Sequence, residues 1–134
     1  MISLTIPAVP VPKGSTKMRR VRGKVIVVPD NGEAQANFRN TAMPYINQAM
    51  AGKELMTGPV ALMARFYVPR PVSVDRSLPC VKPDLDKYTR LLFDVFTDRV
   101  WVDDGQVVDL DVKKIYASSE HTVGVVVTVV EVKS

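Results

Sequence analysis

Two pairs of aspartates provide the oxygen atoms that a divalent cation needs. Asp84 and Asp86 are one residue apart, and Asp103 and Asp104 are adjacent further along the chain. Two carboxylates about 6 Å apart repel by about 3 kcal/mol at an effective dielectric constant of about 20, so several of them converge only around a cation. Oxygen ligands without a nearby His or Cys suit Mg²⁺, with Mn²⁺ as a substitute, and such an ion activates water for phosphodiester hydrolysis.

The backbone around each pair decides whether its side chains can cooperate. Residues i and i+2 lie on one face of an extended segment but about 200° apart on a helix. Because Pro83 disfavours helix before it and Asp is a favoured N-cap, we expect Asp84 on extended chain, Asp86 at or beside a helix start, and both side chains pointing the same way. A capping Asp and the common turn dipeptide Asp104-Gly105 each explain one carboxylate of a pair without a metal.

Arg90 follows Asp86 by one helical turn, and two roles are open for it. It could offer a cation to a phosphate transition state at the same site. It could also form an i,i+4 ion pair with Asp86 or Asp94, which is worth a few tenths of a kcal/mol.

The positive charge of the chain is concentrated in its first part. The net charge is +4, but residues 1–82 carry +8 and residues 83–134 carry −4. Six cations fall within residues 13–24 alone, a pattern that favours a polyanion such as nucleic acid, although a solvated loop is the simpler alternative. The candidate DNA-phosphate ligands are Lys13, Lys17, Arg19, Arg20, Arg22 and Lys24, together with Lys82 and Lys87 beside the aspartates.

Hydrophobic periodicity predicts one α+β domain over residues 1–134, in which an antiparallel or mixed sheet packs with two main helices. The second helix, at about 86–97, carries a continuous apolar stripe. The first, at about 33–50, contains Pro44, which should kink it or split it in two. Strands are predicted at 2–6, 24–28, 59–68, 106–117 and 122–132, with the last two joined as a hairpin through 118–121, and about 13–24 is predicted as a basic loop.

The sequence lacks the residues that several other classes of protein require. A single cysteine excludes an internal disulfide, and His121 is the only histidine, so zinc hydrolase and Ser-His-Asp mechanisms are not indicated. The longest apolar run, Val123 to Val130, is far shorter than the ~20 residues that span a bilayer. The first residues lack the basic start of a secretory signal, so a cytoplasmic protein is expected.

The combination of motifs resembles the RusA-type Holliday junction resolvases. Asp84-Leu-Asp86, a helix ending near Asp94, and Trp101-Val-Asp-Asp104-Gly-Gln-Val carry the resemblance, which is densest over residues 82–117. It implies a RusA-like α+β homodimer that cleaves four-way DNA junctions with Mg²⁺. It also implies a bacterial or phage-infected cell as the setting.

The resemblance also implies roles for individual residues. Asp84, Asp86 and Asp104 fall on the essential acidic positions, and Asp103 falls on the adjacent one. The family's functional lysine is Arg90 here, which keeps the charge but does not readily act as an acid. Lys87 stands where the family often has asparagine. Two alternatives remain open from the residues: a non-catalytic DNA-binding module, and a nuclease for flaps or forks.

Overall fold

In the described part of the chain, six strands and two helices follow one another in the order β1, β2, β3, α1, β4, α2, β5, β6. The computed structural model describes residues 1–14, 16–29 and 31–132. For residues 16, 17, 28 and 29 it describes only the backbone. A single 3₁₀ turn, Asp104–Gln106, precedes β5. The elements are β1 (Ile2–Ile6), β2 (Thr16–Val21), β3 (Lys24–Pro29), α1 (Gly32–Ala49), β4 (Val60–Val68), α2 (Leu85–Phe96), β5 (Val107–Tyr116) and β6 (Gly124–Glu131).

The main sheet is mixed, with the strand order β1-β6-β4-β5. Strand β6 is antiparallel to both β1 and β4, whereas β5 is parallel to β4. Parallel neighbours need a crossover connection, and α2 supplies it between β4 and β5. The predicted α+β class with a mixed sheet and two helices is therefore confirmed.

The predicted hairpin between the last two strands is wrong, because β4 lies between β5 and β6. The segment after β5 passes over the end of β4: the Ala117 amide donates to the Val68 carbonyl at 2.8 Å, and His121 stacks on Tyr67 with ring centroids 4.8 Å apart. Strand β6 buries three alternate valines and so takes a central place, while the largely exposed β5 takes the edge. Alternation within a strand indicates which face is buried but not which strand is its neighbour.

Both helices contribute to one hydrophobic core with the inner face of this sheet. Alternate residues of β4, from Val60 to Val68, are buried together with the apolar stripe of α2. Helix α1 continues through Pro44 as one element, so the predicted split does not occur. Pro44 is exposed, and Ala42 and Ile46 on either side of it are fully buried. Packing on both sides of the proline therefore outweighs the loss of one helical hydrogen bond.

The basic segment forms a two-stranded antiparallel ribbon rather than the predicted loop. Strands β2 and β3 pair with each other, from Thr16 opposite Pro29 to Val21 opposite Lys24. Arg22 and Gly23 at the tip have φ values of 52° and 79°, as a two-residue hairpin turn requires. The predicted strand at 24–28 gains a partner in this way. We call residues 16–29 the basic ribbon.

No helix among the described residues has the length and apolarity to cross a membrane.

Candidate active site

The N-terminus of α2 presents the first pair of aspartates. Asp84 is the N-cap, with extended backbone angles of φ −73° and ψ 144°, and Asp86 lies in the first turn. This placement confirms the expected backbone. The Asp84 side chain makes no capping hydrogen bond, and instead both of its oxygens lie 3.3 Å from Lys82 Nζ. Helix capping therefore does not account for this carboxylate.

The second pair lies on the 3₁₀ turn, and the two aspartates differ in their surroundings. Asp103 is the N-cap: its backbone carbonyl accepts from the Gln106 amide at 3.0 Å, and its own amide donates to Gln106 Oε1 at 2.8 Å. Asp104 is the first residue of the turn and is exposed. The hydrogen bonds of Asp103 therefore fix the backbone of the turn that carries both carboxylates.

Gln106 fastens this turn to the rest of the fold. Its Oε1 accepts from the amides of Val102 at 2.9 Å and Asp103 at 2.8 Å. Its Nε2 donates to the carbonyls of Met56 at 2.8 Å and Gly58 at 3.0 Å. One side-chain amide therefore uses its full hydrogen-bonding capacity to hold the Asp103-Asp104 backbone against the segment that precedes β4.

Trp101 anchors the same turn from the core side. Its side chain is fully buried, lies edge-on to Phe93 at a centroid distance of 5.7 Å, and donates from Nε1 to Thr97 Oγ1 at 3.1 Å. Phe93 and Thr97 belong to the last turn of α2 and its C-cap. The return of the chain from α2 to the 3₁₀ turn is therefore set by packing.

Lys13 reaches the acidic site from the start of the basic segment. Its backbone amide donates to the Lys87 carbonyl at 2.9 Å, and its ammonium group forms an ion pair with Asp94. Asp94 is thus paired with Lys13, and among the ion pairs of the described residues none includes Arg90. Of the two roles open for Arg90, the intrahelical ion pair is not observed.

The aspartates lie in three cavities around α2 that share their cationic walls. Asp104 lines one with Lys13 and Arg90. Asp86 lines a second with Arg90. Asp84 lines a third with Lys13 and with two further lysines, 82 and 87. Asp84 and Asp86 therefore open into different cavities, so the expected common direction of their side chains is not observed, and each of the three carboxylates lies beside at least one cation.

The ligand types at this site suit Mg²⁺, but their positions do not form a single binding site. Among residues 1–14, 16–29 and 31–132, no three Asp, Glu, His or Cys side chains lie close enough together to hold one ion. The donors are carboxylate oxygens, which Mg²⁺ prefers, and Asp84, Asp86 and Asp104 are all exposed. The residues fit the ion by donor type and access, but this structure does not bring Asp84, Asp86 and Asp104 together around one point, as a shared ion requires.

The basic ribbon carries most of the candidate DNA ligands away from the main sheet. Arg19, Arg20, Arg22 and Lys24 are exposed, and Arg19 and Arg20 lie opposite Ile26 and Val25 on alternate faces. The side chain of Lys17 lies outside the described part of the structure. Lys82 is exposed and Lys87 is half-buried, both beside Asp84.

The base of the ribbon is tied to α1 by a short polar network. Asn31 donates from Nδ2 to the Pro12 carbonyl at 2.8 Å and accepts from Gln35 Nε2 at 2.6 Å. Gly14 packs so closely here that an added Cβ would collide with Asn31 Oδ1. These contacts join the chain before β2 to the chain after β3.

Sequence reasoning missed Gln106 and Lys114 as supports of the site. Lys114 Nζ donates to the carbonyls of Val81 at 2.6 Å and Pro83 at 2.8 Å, directly before Asp84. The spacing Asp103-x-x-Gln106 is a capping-box signal and could have identified Gln106. Nothing local marks Lys114, because its acceptors lie some thirty positions away along the chain.

Two ionisable groups near these elements have shifted pKa values. Burial raises the pKa of Tyr88, whose ring stacks on Phe66 in the core. On the opposite face of the sheet, a hydrogen bond from Arg65 lowers the pKa of Asp111. Asp111 is therefore committed to an ion pair on the face of the sheet opposite to Asp84 and Asp86.

Comparison with known proteins matches most of this chain to one family. The family described as Endodeoxyribonuclease RusA matches residues 7–129, a range that contains the basic ribbon and all four aspartates. A protein of Bacillus subtilis (strain 168), named "Uncharacterized protein YqaN", is 29% identical over 128 residues, covering 87% of this chain and 88% of that protein.

Proposed function

This chain belongs to the RusA family of endodeoxyribonucleases, and from that premise we propose that it is a Mg²⁺-dependent, structure-specific enzyme that cleaves four-way DNA junctions in recombination and repair. The observation that carries the proposal is the position of Arg90. Its side chain lines both the cavity of Asp86 and the cavity of Asp104. A phosphate bound by Arg90 would therefore lie within reach of carboxylates from both motifs.

The proposed ligands of the ion are Asp84, Asp86 and Asp104, with Asp103 beside them on the same turn. When bound, Mg²⁺ would supply an activated water and neutralise charge on the phosphate. Arg90 keeps its proton at all working pH values, so its guanidinium would stabilise the negative charge that develops on the phosphate oxygens and would not donate a proton.

Lysines around the same cavities would hold the DNA backbone at the site. Lys82 and Lys87 border Asp84, and Lys13 borders Asp104. The arginines of the basic ribbon would extend this contact along a duplex arm. Contacts of this kind neutralise phosphates, so we expect the affinity for every duplex arm to fall steeply with added salt.

A homodimer would supply the two matched cuts that resolve a four-way junction. Among the described strands, β5 is an edge of the main sheet, and it exposes Val108 and Leu110. A free edge with exposed apolar side chains is suited to pairing with a second copy. Light scattering at micromolar concentration should give the mass of a dimer, and a monomer alone would contradict this part of the proposal. A bacterial or phage-infected cytoplasm is the setting proposed for it.

The test is a synthetic four-way junction incubated with Mg²⁺ or with a chelator. We expect paired nicks that require the metal and that fall at least about 100-fold in Asp84→Asn and Asp104→Asn. Glu120→Gln is the matched control, because it also removes one exposed carboxylate but lies in the segment between β5 and β6 and lines none of the three cavities, and it should cleave like the unmodified chain.

Three results would contradict the proposal in different ways. Tight junction binding without cutting by the unmodified chain would favour a non-catalytic DNA-binding module. Faster cutting of flaps or forks than of junctions would contradict the proposed substrate but support the proposed metal-dependent hydrolysis. Equal loss of cutting in Glu120→Gln and Asp104→Asn would show that the carboxylates act through stability and not through the site.

A further inference from the structure

A cavity of about 300 Å³ lies beside the acidic site and has no part in the chemistry described above. It is formed between the end of β4, the end of β5 and the proline-bearing segment that leads to Asp84. Its walls are mainly apolar and include Val68, Pro69 and Pro79, with Tyr88 and Tyr116 as aromatic members. The volume lies at the lower end of the range for small-molecule pockets, which suits one planar ring system rather than a larger ligand.

The charged members of this cavity are all cations. Arg76, Lys82 and Lys114 line it, and none of its described lining residues is acidic. Arg76 donates from Nε to Tyr116 Oη at 2.7 Å and lies over the Tyr116 ring at 5.9 Å from its centroid. A planar guanidinium held in this way offers a flat surface on which an aromatic ring can stack.

The walls of the cavity are held in place by the fold itself. Lys114, on β5, binds the carbonyls of Val81 and Pro83, so the segment before Asp84 is tied to the sheet. Tyr88 stacks on the core residue Phe66 at a centroid distance of 5.4 Å. A ligand would therefore enter a largely formed cavity and would not have to order it.

Continuity with the acidic site indicates what the cavity holds. Lys82 and Pro83 line this cavity and also the cavity that contains Asp84. A DNA strand with a phosphate beside Asp84 would place a neighbouring nucleotide at the mouth of the cavity. We propose that the cavity receives one unstacked nucleobase of the strand that is cut, and that Arg76 stacks on that base.

This inference rests on the proposed function, because it requires DNA at Asp84. Extrusion of a base costs least where stacking is already interrupted, as it is at a branch point. An apolar cavity bounded by cations accepts any of the four bases by stacking, with the cations facing the backbone phosphates. The cavity would therefore favour branched DNA over a continuous duplex.

The experiment is a fluorescence titration of a four-way junction with 2-aminopurine placed in turn at each nucleotide within about three of the cut. Binding is measured in a chelator, so that it does not depend on cleavage. We expect emission to rise at one position when the protein binds, since 2-aminopurine brightens when it leaves the duplex stack. Arg76→Gln should abolish that rise and weaken junction binding by roughly tenfold.

Arg70→Gln is the matched control. Arg70 also lies over the Tyr116 ring, at 5.6 Å, but it does not line the cavity, so this variant should keep the signal. Val81→Trp is a second variant, because Val81 is an exposed member of the cavity wall and a larger side chain there fills the space without removing Arg76. It should also abolish the rise in emission.

The outcomes separate this inference from the proposed function. A junction that is cut normally but shows no emission change at any position, or the same change with Arg76→Gln and Arg70→Gln, would overturn the base pocket and leave the nuclease standing. An emission change that depends on Arg76, without cleavage in Mg²⁺, would support the pocket and contradict the nuclease. A change of sedimentation mass with Val81→Trp would assign the cavity to a second copy of the chain and overturn the inference.

Discussion

The hydrogen bonds of Gln106 predict that the position of the 3₁₀ turn with Asp104 controls the catalytic rate. Gln106→Ala removes four side-chain hydrogen bonds, two to the amides of Val102 and Asp103 and two to the carbonyls of Met56 and Gly58. At about 0.5–1.5 kcal/mol net for each bond, the full range is about 2–6 kcal/mol. Val102 and Asp103 are exposed, so water can replace their lost partner. We therefore expect a loss of about 2–3 kcal/mol in the free energy of unfolding.

The larger effect should appear in catalysis. Asp104 lies in the turn that Gln106 holds, and a displacement of about 1 Å in a catalytic group costs on the order of 100-fold in rate. Single-turnover cleavage of a four-way junction in Mg²⁺ should therefore slow by about that factor. Junction binding measured in a chelator should change little, because Gln106 lines none of the cationic cavities around Asp84, Asp86 and Asp104.

The control is Gln48→Ala, an identical change at an exposed position on α1. It should leave both the stability and the rate unchanged. If Gln106→Ala loses the expected stability and still cuts at the original rate, the position of Asp104 does not matter for catalysis. If its stability equals that of Gln48→Ala, the four hydrogen bonds do not contribute to the fold.

Three further predictions concern stability. Burial raises the pKa of Tyr88 above its unfolded value, so the contribution of the neutral phenol to stability is present below about pH 10 and is lost as the pH rises through the folded pKa. Tyr88→Phe should therefore reduce the fall in melting temperature that is measured above that pH. The hydrogen bond from Arg65 lowers the pKa of Asp111, so the contribution of this carboxylate to stability is present above the unfolded pKa and is lost as the pH falls through the folded pKa. Asp111→Asn should therefore lower the melting temperature at about pH 6 and have no effect near pH 2. Gly14→Ala forces its Cβ against Asn31 and should speed proteolysis within the basic ribbon, whereas Gly58→Ala, whose Cβ would meet its nearest atom at 3.4 Å, should not.

The elements that periodicity predicts well are those with one buried face. Alternation in β4 and the apolar stripe of α2 both follow directly from burial, and the structure places both as expected. The backbone of Asp84 is also predictable, since the proline and the capping preference act on adjacent residues. These features depend on local chemistry, which a single sequence contains.

The features that sequence reasoning missed depend on contacts between distant positions. The first strand of the basic ribbon is not predicted, because the described side chains of the ribbon, at residues 18–27, are all exposed and so show no burial pattern. The place of β5 beside β4 follows from the crossover through α2 and not from its own residues. The ion pair between Lys13 and Asp94 joins positions 81 residues apart. Among the described residues no three carboxylates lie close enough to hold one ion, so the spacing of the aspartates along the chain does not by itself determine their convergence.

Binding of Mn²⁺ to the protein without DNA tests the shared ion most directly. Electron paramagnetic resonance of free Mn²⁺ in a titration gives the number of ions bound and their dissociation constant. We predict that one ion per chain is bound through Asp84, Asp86 and Asp104, that Asp86→Asn or Asp104→Asn weakens it at least about tenfold, and that Glu120→Gln leaves it unchanged. Equal affinity in all of these proteins would contradict a metal site built from the two motifs.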